Sequence, residues 1–324
     1  MNFLRSACMS SLVLGGMILP SCSKDDKNPA PAGNDDKQSQ DQMYMQNVSI
    51  DKPLLVVYGD SISTGVLSNT QLGQNIDSNL LVQLGNYLRS GSYNATGFQS
   101  DLANQDLAAA TTDKDYGIRQ AIAAQASVAA ADVGVVSLAR FGAKSADIPQ
   151  MIARWQTEEA DSIKRKPDYI LVALGGNDFC SDTSVEIISE TMKREMEAIY
   201  QTAPDARMII APSPPVSQLA AIDFTYGPTV SQITGEELSC RKFREQFCKN
   251  VYAPDAEARL QGINQGIQAA FQNLKDKGAK VSFASGVLQW KILADELAFD
   301  CFHPSQKGQS TLGSYFKAAL DSAP

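Results

Sequence analysis

Val56–Gly65 reads VVYGDSISTG. Its apolar run begins two residues earlier, at Leu54-Leu55-Val56-Val57-Tyr58, and stops abruptly at Gly59-Asp60-Ser61. A short, near-continuous apolar run is the pattern of a strand buried on both faces of a parallel sheet. Gly59 permits the sharp turn that follows at little steric cost. Ligands of open α/β sheets sit in the crevice at the carboxyl ends of the strands. Ser61 is therefore delivered where a nucleophile would work, although an ordinary turn serine gives the same local pattern. The rest of the chain has to separate the two.

Further apolar, β-rich runs follow at Val133–Leu138, Tyr169–Leu174, Met208–Ala211 and Val281–Ala284. Helical patterns lie between them. Val185, Ile188, Met192, Met196 and Ile199 step by three and four, as do Leu260, Ile263, Ile267, Phe271 and Leu274, with Gly278 as a stop signal. A last helix is expected from Ser305, a plausible N-cap, to Leu320. Strands alternating with helices predict parallel pairing with helices on both faces. The expected fold is an α/β three-layer α/β/α sandwich, flavodoxin-like, with a central parallel sheet over residues 51–324. Gly91–Ala131 and Val216–Val251 exceed that minimal pattern and read as insertions at the rim. In the first of them Ile118, Ile122 and Val128 offer a shallow apolar groove.

The chain has 324 residues and a net charge of -8, with no basic cluster. That argues against nucleic acid as a partner and against electrostatic docking to anionic lipid. Arg5 precedes an apolar stretch, Ser11–Leu19, too short to span a bilayer. The stretch ends in LPSC, Leu19–Cys22, which resembles the bacterial lipobox, whose cysteine is lipidated and becomes the mature N-terminus. An ordinary cleaved signal with an incidental cysteine is the alternative. Residues 1–21 are thus expected to be a lipoprotein signal peptide. Residues 22–50, rich in Lys, Asp, Asn, Pro and Gln, read as a disordered tether. The expected location is the bacterial cell envelope, with membrane contact through the lipid on Cys22.

Cys8 would leave with the signal, so Cys180, Cys240, Cys248 and Cys301 remain, an even number that suggests two disulfides in an exported protein. If the segment between Cys240 and Cys248 is helical, those two lie about 12 Å apart, beyond bonding reach. Each then pairs with Cys180 or Cys301. Zinc would compete for four cysteines, but no C-x-x-C pair occurs.

His303 is the only histidine. It lies in AFDCFHPSQKG, with Asp300 three residues upstream and a helix just after. Asp-x-x-His in a turn lets the carboxylate reach Nδ1–H, fixing the tautomer and leaving Nε2 free to accept a serine proton. A serine hydroxyl needs such a base, being a weak nucleophile at neutral pH. A surface imidazole is the bland alternative. LVALGGNDFC, Leu171–Cys180, is another apolar strand ending in glycines, so Asn177 emerges at the same sheet edge as Ser61. In SLARFGAKSAD, Gly142 follows a buried strand and lets a backbone N–H approach a ligand.

These four strand ends together resemble the SGNH (GDSL-type) hydrolases. The family's blocks occur in order as Gly59-Asp60-Ser61, Gly142, Gly176-Asn177-Asp178 and Asp300-x-x-His303, over roughly Leu54–Leu320. GGNDFC, FGAKSAD and DCFHPS look most like the phospholipase B branch. The chain departs from the family in Ser137-Leu138-Ala139-Arg140, ahead of Gly142, where many members carry an asparagine. The resemblance implies the SGNH hydrolase fold and an esterase or lipase with Ser61 as nucleophile, His303 as base and Asp300 as its orienting partner. It further implies an oxyanion hole from the Ser61 and Gly142 N–H groups and the Asn177 side chain, with no metal or other cofactor. The expected substrate is a lipid or phospholipid acyl ester. A carbohydrate O-acetyl esterase of the envelope and a non-catalytic binding lipoprotein are the other readings. A relic site should have lost one of Ser61, Asn177, Asp300 or His303, and all four are present.

Overall fold

Alternation along the central strands divides their side chains between two apolar layers. Val56, Tyr58, Ile170, Val172, Met208 and Ile210 enter one, while Leu55, Val57, Leu171, Ile209 and Ala211 enter the other. This is what residues of period two do when both faces of a sheet are covered. The computed structural model describes residues 44–65, 67–68, 70–74, 118–235 and 237–322. Their strands are β1 (Tyr44–Gln46), β2 (Leu54–Gly59), β3 (Gly134–Ser137), β4 (Tyr169–Ala173), β5 (Arg207–Ala211) and β6 (Val281–Phe283). They form one sheet in the order β1-β3-β2-β4-β5-β6. β2 to β6 pair in parallel, with Val56 opposite Val136 on one side and Ile170 on the other.

The helices are α1 (Ile118–Ala126), α2 (Ile148–Glu158), α3 (Gly176–Cys180), α4 (Val185–Thr202), α5 (Pro228–Thr234), α6 (Cys240–Cys248), α7 (Ala256–Asp276) and α8 (Gln306–Asp321). Ile148, Met151 and Trp155 of α2, the Ile188–Ile199 stripe of α4 and the Leu260–Leu274 stripe of α7 cover one sheet face. Ile118 and Ile122 of α1 and Leu312, Phe316 and Leu320 of α8 cover the other. The architecture is the three-layer α/β/α sandwich that the alternation predicts. Ser305 caps α8, its side chain accepting the Gly308 N–H. Among the described residues no helix is long and apolar enough to cross a membrane.

Three expectations change. Tyr44–Gln46 lie inside the segment expected to be tether, yet they pair antiparallel with Val135–Ser137 at the sheet edge. Ile118 and Ile122 do not line a groove. Both are fully buried under α8, so the end of the 91–131 insertion is a structural helix of the second layer. Gly59 has no positive φ. Its role is steric, because a Cβ there would stand 2.2 Å from Ser63 Oγ. The signal peptide, Cys22, most of the tether and residues 91–117 lie outside the described residues.

Val216–Val251 folds as short helical pieces, including α5 and α6. Tyr226, Leu238, Cys240 and Phe243 from this segment join Leu67, Ala298, Phe299 and Cys301 in a third, smaller core. The insertion thus packs directly on the turn that precedes α8.

Candidate active site

The close approach at Gly59 turns the chain at once. Thr64 N–H donates to Asp60 O at 3.1 Å and Gly65 N–H to Ile62 O at 3.1 Å. Asp60 Oδ1 accepts the Ile62 N–H at 2.9 Å, closing the turn around Ser61. Asp60 is 3 % exposed, and burial pushes its carboxyl up to about 7, against the Ile62 hydrogen bond and the neighbouring His303.

Asp300 and His303 arrive in the turn before α8. Asp300 Oδ1 accepts the backbone N–H groups of Phe302 at 3.1 Å and His303 at 3.0 Å. Asp300 Oδ2 lies 2.5 Å from His303 Nδ1, and His303 Nε2 lies 2.9 Å from Ser61 Oγ. Burial alone would raise the Asp300 carboxyl. The attraction of His303 for the ionised carboxyl, its ring hydrogen bond and the two backbone donors outweigh that and hold the carboxyl below its ordinary value. An ionised Asp300 can only accept, so the proton sits on Nδ1 and Nε2 faces the serine hydroxyl as an acceptor. That network can pull a proton from Ser61 and return it.

Asn177 opens the short helix α3, directly after β4. Its Nδ2 donates to Ala143 O at 3.1 Å, tying the amide to the Gly142 loop. Gly142 has φ +73° and is exposed, and a Cβ there would meet nothing within 4 Å. The glycine is thus needed for its backbone conformation alone. Among the described residues no backbone carbonyl accepts the N–H of Ser61 or of Gly142. The structure therefore brings Ser61, His303 and Asp300 into one hydrogen-bonded line and ties Asn177 to the Gly142 loop.

Both disulfides join the site to α6. Cys180 at the end of α3 bonds Cys248, and Cys301 inside the Asp300–His303 turn bonds Cys240. These pairings settle the choice that the cysteine spacing leaves open. Phe141, Phe247 and Phe302 surround the His303 ring at centroid distances of 5.8, 6.0 and 5.2 Å. All three are half-buried. Asp60, Ile62, Ser63, Pro212, Gln309 and Phe316 border a cavity of ≈ 20 Å³.

Several supports escape sequence reasoning. Asp178 accepts the Ser145 N–H at 2.9 Å and its hydroxyl at 2.6 Å, so the residue after Asn177 fixes the Gly142 loop. Arg259 of α7 donates to the carbonyls of Asp178, Phe179, Ser181 and Thr183. Asn250 adds two further bonds, to Phe179 and Ser181. Asp178 carries a signal, standing within the GGND block. Arg259 and Asn250 carry none, since their partners are main-chain carbonyls about 70–80 residues away.

Residues 55–316 match the GDSL-like lipase/acylhydrolase family. No curated protein matches the chain. A solved GDSL-like lipase from Parabacteroides merdae aligns over 85% of this chain and 98% of its own, at 12% identity and TM-score 0.43. The psychrotrophic esterase EstA from Pseudoalteromonas sp. aligns over 83% and 96%, at 13% identity and TM-score 0.41. A carbohydrate esterase family 2 enzyme from Corynascus thermopiles aligns over 85% and 67%, at 16% identity and TM-score 0.49. With its family match spanning the whole parallel sheet and every strand end described above, the chain belongs to the GDSL-like lipase/acylhydrolase family and is an ester-hydrolysing enzyme.

Proposed function

We propose that the enzyme hydrolyses lipid or phospholipid acyl esters with Ser61 as nucleophile, His303 as general base and then acid, and Asp300 as the anion that orients His303. The observation that carries this reading is the hydrogen-bonded line from Ser61 Oγ through both His303 nitrogens to a buried, ionised Asp300. In the first step Oγ bonds to the ester carbonyl carbon while its proton passes to Nε2. The carbonyl oxygen becomes an oxyanion, met by the N–H groups of Ser61 and Gly142 and by Asn177 Nδ2. Collapse expels the alcohol, which takes the proton from Nε2. Water then attacks the acyl-serine by the same route, giving the free acid and restoring Ser61.

The lipid reading is supported by the three phenylalanines around His303, which give an acyl chain an apolar surface beside the reacting atoms. The likeness of GGNDFC, FGAKSAD and DCFHPS to the phospholipase B branch points the same way. The lipobox-like LPSC supports export and membrane attachment through Cys22, as a signal peptide over residues 1–21 and a tether ahead of β1 require.

The deciding experiment measures kcat/KM against acyl length, from about two to about twelve carbons, below the micelle threshold and with lysophosphatidylcholine to follow. Each methylene buried on the phenylalanines contributes about 0.8 kcal/mol, so six amount to roughly three orders of magnitude. A sharp optimum at acetyl with no lysophospholipid turnover would replace the lipid reading with a carbohydrate O-acetyl esterase. In the same assay Ser61→Ala is expected to lose about 10⁶-fold in kcat. Near wild-type turnover by that variant would end the serine mechanism altogether.

A further inference from the structure

The only residue between Asp300 and Phe302 is Cys301, and it stands in the left-handed region at φ +60°. Few non-glycine side chains adopt that conformation without external support. Here it brings the N–H groups of Phe302 and His303 back onto Asp300 Oδ1 while Oδ2 reaches His303 Nδ1. Something must hold it. One tether is the Cys240–Cys301 disulfide. A second comes from the next turn of α6, where Arg244 Nε donates to Cys301 O at 3.1 Å.

Arg244 is an expensive choice for a purely structural brace. It is fully buried, its Nη1 donates to Ile222 O, and its Nη2 has no hydrogen-bond partner. Its two accepting partners are neutral carbonyls, and among the described residues no carboxylate pairs with it. Burying a charge without an anionic partner costs heavily, even where its donors are hydrogen-bonded. Retaining it makes sense where the guanidinium fork does what an apolar residue cannot, namely span two carbonyls in fixed geometry.

We propose that Arg244 is a positioning residue for ester hydrolysis. Its fork joins the insertion helix α6 to the Cys301 carbonyl and, together with the disulfide, keeps the Asp300–His303 turn in its reactive shape. The proposal rests on the assignment of His303 and Asp300 above, and a spectroscopic readout separates the two. His303 is the only histidine in the chain, so the downfield proton resonance of its Nδ1–H reports the Asp300 contact free of overlap.

The test compares wild type with Arg244→Met and Arg244→Lys on a soluble p-nitrophenyl ester, alongside thermal melting and proton NMR. Arg244→Met is expected to lower kcat by about 10- to 100-fold with KM changed less than about twofold, as small misplacements of reacting groups do. The His303 resonance should shift or broaden in the same variant, and Arg244→Lys should recover part of both effects. An unchanged kcat or an unmoved resonance in folded Arg244→Met overturns the proposal, whatever its melting temperature. Should Arg244→Met fail to fold, Arg244→Lys decides the same question, since one ammonium cannot span both carbonyls. Near wild-type turnover by a Ser61→Ala control would overturn the serine mechanism itself, whereas an unmoved resonance beside an inactive Ser61→Ala overturns the role of Arg244 alone.

Discussion

Asp60 stands beside Ser61, its carboxylate accepting the Ile62 N–H. Its folded carboxyl, pushed up to about 7 by burial, compares with 3.8 for the free group. Native protein therefore binds more protons than unfolded chain between those values, and stability contributed by Asp60 falls as pH rises through the window. The full contribution is present below about pH 4 and is gone above about pH 7, a change of at most about 4 kcal/mol. Asp60→Asn keeps an oxygen for the Ile62 N–H and removes the titration. Its melting temperature relative to wild type is expected to climb between pH 4 and pH 8, measured by thermal denaturation across that range. A constant difference would show that Asp60 does not titrate there. At this scale the residues proposed for the chemistry were legible, because Ser61 and Asn177 follow apolar strands and Asp300 and His303 precede a capped helix. Asp60 was not, since a carboxylate in a turn gives no hint in sequence of how deeply it will be buried.

At the level of elements, α3 shows how little of a site's rigidity is local. Five residues cannot sustain a helix alone, because nucleation is unfavourable and its terminal carbonyls lack helical partners. Arg259 and Asn250 supply those partners, and the Cys180–Cys248 disulfide fixes the end. Arg259→Met should thus cost about 2 kcal/mol of stability through lost charge-assisted hydrogen bonds. It should also lower kcat, because Asn177 rides on α3. Equilibrium denaturation and steady-state kinetics check the two effects. A stability loss with unchanged kcat would separate α3 rigidity from oxyanion binding. The long helices were readable because buried stripes at three- and four-residue spacing need no partner to be recognised. α3, α5 and α6 are too short to show a stripe, and only cysteine geometry announced that α6 reaches toward two other segments.

Across the whole molecule, two apolar layers fix the sheet and leave its carboxyl edge to carry the chemistry. Five parallel strands were legible from their apolar runs. The antiparallel β1 was not, because Tyr44–Gln46 sit in polar sequence and owe their place to pairing with β3. Beyond that edge strand lies the lipid attachment proposed at Cys22. A net charge of -8 without a basic cluster supplies no electrostatic attraction to anionic lipid. One acyl chain gives only reversible binding, so stable attachment without a basic patch requires more than one chain at Cys22. Cys22→Ala is accordingly expected to move the enzyme from the membrane to the soluble fraction on cell fractionation. Turnover of a soluble ester should stay at the wild-type value, since Cys22 lies far in sequence from every residue of the site. Mass spectrometry of the wild-type N-terminus should find lipid on Cys22. Retention of Cys22→Ala in the membrane fraction, or an unmodified terminus at another residue, would mean that attachment does not run through this cysteine.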